Sequence, residues 1–283
     1  MANRTIALVY FSATNVTHSY AEAIQKELTE RGCAVQVSNV TALESRRKVL
    51  SFADCDGVIF GFPVFSNFAP RVINEWLPTL EGRGKKCAAF FTYGGRTAAY
   101  APFHTSLLLE KADFRLMLAA EFPGRHSFNV GGWQILPDRP NAEDFSVARE
   151  FAALAIERFS RNDAPPLTLQ KPFGYPQVVA ELENAPKPTK RLWINPVRVE
   201  KECSMCRICE TECPAGAFDA DTGLSDPATC IGCMHCVYVC PDKVVQAPDI
   251  IPEKTFLSNW HVTKEMIEAK KARIIAESWQ AAY

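Results

Sequence analysis

Eight of the eleven cysteines in this 283-residue chain fall in one spaced pattern written twice. The first copy is Cys203, Cys206, Cys209 and Cys213, followed by Pro214; the second is Cys230, Cys233, Cys236 and Cys240, followed by Pro241. Both read C-x-x-C-x-x-C-x-x-x-C-P. Three cysteines this close can wrap one face of a polynuclear centre, and a fourth ligand must then arrive from across the fold. The proline after each fourth cysteine turns the chain away, since it has no N–H to donate. Zinc needs only four ligands, commonly two separated C-x-x-C pairs, and does not call for such runs. A disulfide framework belongs to small secreted chains, which this is not. The two copies are also the one clear internal repeat: residues 203 to 218 match 230 to 245, with Ala217–Phe218 against Val244–Val245. Those apolar pairs would help keep water from each centre.

The length suggests about two domains. At 47% apolar and 22% charged, with a formal net charge of −1, the composition is that of a soluble globular protein with no general pull toward nucleic acid or an anionic membrane. The opening MANRTIALVYF has one arginine and then an apolar run too short for a signal-peptide core or a membrane span, and no other stretch approaches a span. The expected location is the cytoplasm, where thiols stay reduced.

Residues 1–162 alternate strand and helix patterns. Strands are expected at Ile6 to Phe11, Ala34 to Val40, Gly57 to Phe62, Cys87 to Thr92 and Leu116 to Phe122. Helices are expected from about Thr17 to Arg31 with Gly32 as the stop, at Glu44 to Ser51, after Pro70 through Leu80, from Tyr100 to Lys111 and from Phe145 to Phe159. Such alternation implies an α/β doubly wound parallel sheet. Cys33, Cys55 and Cys87 lie in or beside strands and read as small core residues.

Residues 163–196 change character. Pro165, Pro166, Pro172, Pro176, Pro186, Pro188 and Pro196 break any periodicity and indicate a linker with extended stretches, laid against the first domain by Phe173, Tyr175 and Trp193. The cysteine repeat then occupies a domain at 197–249. A tail at 250–283 reads as one amphipathic helix from about Thr263 to Gln280, with Met266, Ile267, Ile274 and Trp279 opposite Lys264, Lys270, Lys271 and Arg273.

The first strand runs into Ser12-Ala13-Thr14-Asn15-Val16-Thr17 and then a helix. A turn of backbone N–H groups at a helix amino end favours an anion, and the hydroxyls of Ser12, Thr14 and Thr17 add donors. No lysine or arginine lies in the loop, which suits a phosphate monoester; neither G-x-x-x-x-G-K-[ST] nor G-x-G-x-x-G is present. The competing reading is an ordinary strand-to-helix turn with Ser/Thr caps. Here the sequence resembles flavodoxins, whose loop is Ser/Thr-x-Thr-Gly-x-Thr; Asn15 stands at the glycine position, and asparagine tolerates positive φ best after glycine. That resemblance implies a five-stranded sheet of order 2-1-3-4-5 and an FMN at the carboxyl ends of its strands. Its ring would lie between Pro63, Val64, Phe65 and Asn67 on one loop and Tyr93, Gly94, Gly95 and Arg96 on another. Phe65, Phe68 and Tyr93 could stack on the ring, and the two glycines admit close backbone approach. Arg96 is either a charge for the reduced ring or a solvated loop residue. His104 and His126 follow strands four and five, where one could reach the pocket as a proton donor, although structural roles fit each as well.

The cysteine region resembles bacterial two-cluster ferredoxins, in which the fourth cysteine of each run serves the other cluster. The resemblance implies two [4Fe-4S] clusters, one on Cys203, Cys206, Cys209 and Cys240 and one on Cys213, Cys230, Cys233 and Cys236. As a whole the chain is similar to a flavodoxin–ferredoxin fusion family. The leading expectation is an iron–sulfur flavoprotein that relays single electrons through the clusters to or from FMN, serving a redox partner protein or a small-molecule acceptor. Two alternatives remain: an FMN-dependent reductase of a small substrate fed by the clusters, and a redox sensor whose first domain is an empty docking module.

Overall fold

The computed structural model describes residues 4–184, 194–199 and 201–276. Pro186, Pro188, Trp193, Trp279 and Gln280, all invoked above, lie outside the described residues. In chain order the first half comprises β1 (Thr5–Tyr10), α1 (Val16–Glu30), β2 (Ala34–Asn39), α2 (Leu43–Arg47), β3 (Gly57–Pro63), α3 (Arg71–Trp76), β4 (Lys85–Tyr93), α4 (Ala101–Lys111), β5 (Phe114–Pro123) and α5 (Ala142–Ser160). Strands β1 to β5 pair in parallel in the order β2-β1-β3-β4-β5, as expected. The central strands are continuous apolar runs because both faces are covered. Ala7 and Val9 of β1, Val58 and Phe60 of β3 and Ala89 and Phe91 of β4 point into one layer. Ile6, Leu8, Ile59, Ala88 and Phe90 point into the other, with Ile24 and Leu28 of α1 and Phe151 of α5.

The proline-rich segment is more ordered than a linker. Tyr175–Asn184 forms a helix, α6, begun by the fixed backbone of Pro176 at its first turn. Tyr175 is buried, its ring 4.9 Å edge-to-face from Phe103 on α4, and its hydroxyl is 2.7 Å from His104 Nδ1. Phe173, expected to anchor this segment, is instead exposed.

The cysteine half holds β6 (Val197–Arg198), α7 (Ile208–Thr211), β7 (Phe218–Asp219), β8 (Leu224–Ser225), α8 (His235–Val239) and β9 (Val245–Gln246), with the strands in an antiparallel sheet of order β7-β8-β6-β9. Its repeat is structural as well as sequential. Met205 and Arg207 of the first copy have φ of 55° and 60°; Gly232 and Met234, at the same places in the second, have 64° and 66°. Gly216 and Lys243 repeat the match at 61° and 56°. Left-handed turns at matched positions in both runs wrap each backbone round its cysteines, and a non-glycine residue holds such a φ only where its surroundings require it.

The tail departs from the single helix read from the sequence. It forms α9 (Glu253–Asn259), α10 (Lys264–Glu268) and then β10 (Arg273–Ile275), a sixth strand antiparallel to β5. Arg273 Nε donates to Glu121 Oε2 at 2.7 Å, and Ile275 is buried. β-branched Ile274 and Ile275, apolar enough to suit the helical stripe, gain more by completing the sheet edge. Among the described residues no helix is long and apolar enough to cross a membrane.

The tightest approach in the sheet is at Gly61 of β3, where a Cβ would lie 2.1 Å from the Phe90 ring. Phe90 is fully buried and cannot swing out. Gly61→Ala is therefore expected to overpack this layer and lower stability by about 1–3 kcal/mol, read as a lower denaturation midpoint. An unchanged midpoint would mean that the two strands have slack which the packing does not reveal.

Candidate functional site

The carboxyl ends of β1, β3, β4 and β5 open on one cavity. It is lined by Ser12, Ala13, Thr14, Val16 and Thr17 from the first loop, Pro63, Val64 and Phe65 from the second, Thr92, Tyr93 and Gly94 from the third, and Arg125, His126 and Ser127 after β5. Asn15 takes the left-handed conformation (φ 70°) that a glycine there would supply, and so turns the loop into α1. His18 N–H donates to Ser12 Oγ at 3.0 Å and Ser19 N–H to Asn15 O at 3.0 Å. Among the described residues, no acceptor meets the N–H groups of Thr14, Asn15, Val16 or Thr17. Four consecutive orphan donors at the amino end of a 15-residue helix form a cradle that an anion satisfies.

The remaining expected residues divide. Phe65, buttressed edge-to-face by Phe11 at 6.3 Å, and Tyr93, buried, both line the cavity. Asn67 does not: with Ser66 it makes the left-handed turn (φ 75° and 49°) that folds Phe68 back to pair with Phe65. Phe68 packs away, against Tyr100 and His104. Arg96 is also drawn off, its guanidinium 4.1 Å above the Trp260 ring in the tail, a cation–π contact. Gly95 serves the same packing, since a Cβ there would meet Ile267 at 2.7 Å.

The loop after β5 supplies Arg125, which the sequence reading missed, and His126, one of its two candidate proton donors. Arg125 Nη2 lies 3.4 Å from Thr14 O, bringing a positive charge beside a loop that carries none. His126 is ringed by Phe128, Trp133 and Phe256, with centroids 4.7, 4.9 and 5.6 Å away. This apolar surround pushes its pKa down to about 4. Phe128 N–H donates to His126 Nδ1 at 3.1 Å, so the neutral ring carries its proton on Nε2. His104, the other candidate donor, is committed to Tyr175.

Two further cavities lie within the cysteine half. One is lined by Cys203, Cys206, Cys209 and Cys240, with Phe218, Val244 and Val245. The other is lined by Cys213, Cys230, Cys233 and Cys236, with Ile231, Ala217, Phe218 and Met234. In each, three cysteines of one copy meet the fourth of the other. All eight are thiols. Burial raises the pKa of Cys209 and Cys236 and pushes Cys233 up to about 12, and negative charge on neighbouring cysteines of the same set raises each further. Only strongly charged metal would hold such a set as thiolates. Among the described residues no group of three or more His, Cys, Asp or Glu is arranged to hold a single metal ion. Ala217 N–H donates to Cys213 Sγ at 3.2 Å and Gly232 N–H to Cys230 Sγ at 3.4 Å, bonds that strengthen as sulfur gains charge. The donor set thus fits cubane iron–sulfur clusters.

The two four-cysteine cavities differ in setting. Cys206 is exposed and Cys203 and Cys209 are partly so. Cys213, Cys230, Cys233 and Cys236 are all buried, and Cys233 and Ile231 belong to the same apolar core as Phe11 and Ala13. His235, between Cys233 and Cys236 in sequence, donates from Nδ1 to Ala13 O at 2.7 Å. Ala13 lines the first cavity, so one hydrogen bond joins the wall of that cavity to the buried cysteine set.

Residues 195–241 match the model of the 4Fe-4S dicluster domain family. The chain is also similar in structure to a flavodoxin from the domain Archaea, at 18% identity over 56% of this chain and 99% of that one, with a TM-score of 0.41. It is also similar to oxidised flavodoxin 2 from Bacillus cereus (18% identity, 54% and 99%, TM-score 0.41). A flavodiiron core from Synechocystis matches at 20% identity over 56% of this chain and 36% of its own length, with a TM-score of 0.42. The strand order defines the first half as flavodoxin-like, and the chain joins that fold to a segment that matches the 4Fe-4S dicluster domain model.

The depressed pKa of His126 has a signed consequence. The unfolded chain takes up a proton near the ordinary value of 6.5, the folded one near 4. The corresponding stability is intact above about pH 6.5 and is lost as pH falls toward 4, at up to about 1.4 kcal/mol per pH unit. His126→Asn keeps an oxygen to accept from Phe128 N–H but cannot titrate. Its melting temperature is expected to fall less than that of the wild type between about pH 7 and about pH 4.5. Parallel falls would show that His126 titrates normally.

Proposed function

We propose that this chain is an electron-transfer flavoprotein. It holds one [4Fe-4S] cluster with Cys203, Cys206, Cys209 and Cys240, a second with Cys213, Cys230, Cys233 and Cys236, and an FMN in the cavity at the carboxyl ends of the parallel strands. When bound, cubane clusters exchange single electrons and a flavin exchanges one or two. The observation that carries this reading is the pair of four-cysteine cavities, one of them hydrogen-bonded through His235 to the loop of the cavity at the carboxyl ends of the strands.

The residues divide the work. The unpaired N–H groups of Thr14 to Thr17 and the hydroxyls of Ser12 and Thr14 hold the phosphate, and Arg125 offsets its charge. Phe65 and Tyr93 offer aromatic faces to the ring, with Pro63, Val64 and Gly94 along its edge. Phe218, Val244 and Val245 keep water from the outer cysteine set, while exposed Cys206 leaves that set within reach of a redox partner protein or a small acceptor. Eight cysteines that bind clusters as thiolates call for a reducing compartment such as the cytoplasm. Direct reduction of a substrate at the flavin would require a proton donor. His126 lines the cavity, but an imidazole that stays neutral down to about pH 4 is a weak acid at neutral pH, which favours the carrier reading.

Anaerobically purified protein should release FMN, identified by mass, and should take up one electron for each of two clusters and two for the flavin in a reductive titration. Protein that purifies without flavin when FMN is supplied, or whose clusters take up only one electron in total, would contradict the proposal. Arg125→Ala should weaken FMN binding about tenfold and leave riboflavin binding unchanged, since only FMN carries the phosphate. Equal losses for both ligands would place Arg125 elsewhere.

A further inference from the structure

Arg46 is a buried guanidinium without an anionic partner. It sits on α2 in the flavodoxin-like half and is 8% exposed. Nη1 donates to Val40 O at 2.6 Å and Thr41 O at 2.8 Å, and Nη2 donates to Pro214 O in the cysteine half. Among the described residues it makes no ion pair with a carboxylate; its guanidinium lies 6.0 Å from the Phe11 ring. Burial lowers its pKa, while negative charge on Cys213 and Cys233 raises it. Four carbonyls, those of Val40, Thr41, Ala42 and Pro214, accept from its N–H groups but leave its net charge uncompensated. Taking an unpaired cation out of water costs several kcal/mol, and arginine does not escape by losing its proton. Such a placement persists where an anion stands opposite. The nearest anion the chain could provide is a thiolate-ligated cluster in the cavity that Cys213 and Cys233 line, directly beyond Pro214.

We propose that Arg46 is the fixed counter-charge of the cluster held by Cys213, Cys230, Cys233 and Cys236, reaching it across the junction between the two halves, and that it raises the reduction potential of that cluster selectively. The inference rests on the two-cluster reading above. Its sign is electrostatic. A reduced cluster carries one more negative charge than an oxidised one, so a nearby cation stabilises the reduced form, and in a site shielded from water the effect is strong. Among the described residues no buried cation without a carboxylate partner stands beside the other cysteine set. Arg207, which lines its cavity, is exposed and engaged by Asp221 and Glu210. Arg198 there is only half-buried and is held by the carbonyls of Ala220 and Asp221. Because α2 supplies the charge, the cluster nearest the flavin cavity has its full potential only when the two halves are docked. Arg46 is thus a positioning and tuning residue that ligates nothing.

The test is an anaerobic, EPR-monitored redox titration of the full-length holoprotein with Arg46→Met, Arg46→Gln and Arg46→Lys. In the Met and Gln variants one cluster couple should fall by about tenfold in its reduction equilibrium, which is about 59 mV for one electron, while the other couple stays where it is. Lys should retain most of the wild-type value, since it keeps the charge. Loss of one cluster in both neutral variants, with retention in Lys, would support the same conclusion. The inference is overturned if neither couple moves, if both move together, or if Lys falls as far as Met, which would make the role one of packing. A wild-type protein whose clusters take up only one electron in total would overturn the two-cluster reading itself, and is recognised before any variant is made.

Discussion

Each cysteine cavity closes only because the fourth cysteine of one copy crosses to the three of the other. Cys240 joins Cys203, Cys206 and Cys209, and Cys213 joins Cys230, Cys233 and Cys236. Neither copy can complete a site alone, so the segment folds as an interlocked pair or has no closed site. The crossing accounts for features that would otherwise be costly. Left-handed backbone at Met205, Arg207, Met234 and Lys243 is unfavourable for residues with a Cβ, yet it recurs at matching positions in both copies because the same wrap is made twice. The short strands β6 to β9 are too small to be stable unaided and draw their rigidity from the sites they enclose.

The second dependence is the seam between the halves. The parallel sheet directs four loops to one end, which is where topology places a ligand in an open α/β fold. The buried cysteine set is fixed to the back of the first of those loops by the His235–Ala13 hydrogen bond, by the Arg46–Pro214 contact and by Arg71 donating to Thr229 O at 3.1 Å. The tail adds a clasp on the other side: Trp133 Nε1 donates to Ile251 O at 2.9 Å, and β10 completes the sheet edge. The partly exposed cysteine set therefore faces outward, and the buried one lies against the cavity at the carboxyl ends of the parallel strands. That order is a property of the packing.

Much of this was legible because the informative residues are close in sequence. The doubled cysteine run, the strand periods and the Ser12–Thr17 loop are local patterns, and Asn15 could be recognised as a stand-in for glycine because positive φ is a local property. What could not be read is what tertiary packing decides. Arg96 leaves the cavity for a Trp260 more than 160 residues away. Arg125 enters it from the loop after β5, away from the β1/β3 crevice to which topology directs attention, beside His126, which its place after the fifth strand had already marked. Arg273 and Ile274 have helical spacing, but the open edge of β5 and buried Glu121 recruit them into a strand. Proline density pointed away from a helix at α6, although a proline in the first turn is compatible with one.

The most direct test of the crossing uses pairs of alanine substitutions and the EPR signal of the fully reduced clusters. If Cys206 and Cys240 serve one cluster, Cys206→Ala and Cys240→Ala together should remove no more than either alone, leaving about half of the signal. Cys213→Ala with Cys240→Ala, by contrast, should abolish it. The opposite pattern, with the first pair abolishing the signal and Cys209→Ala with Cys213→Ala leaving half, would show that each run binds its own cluster and would contradict the account.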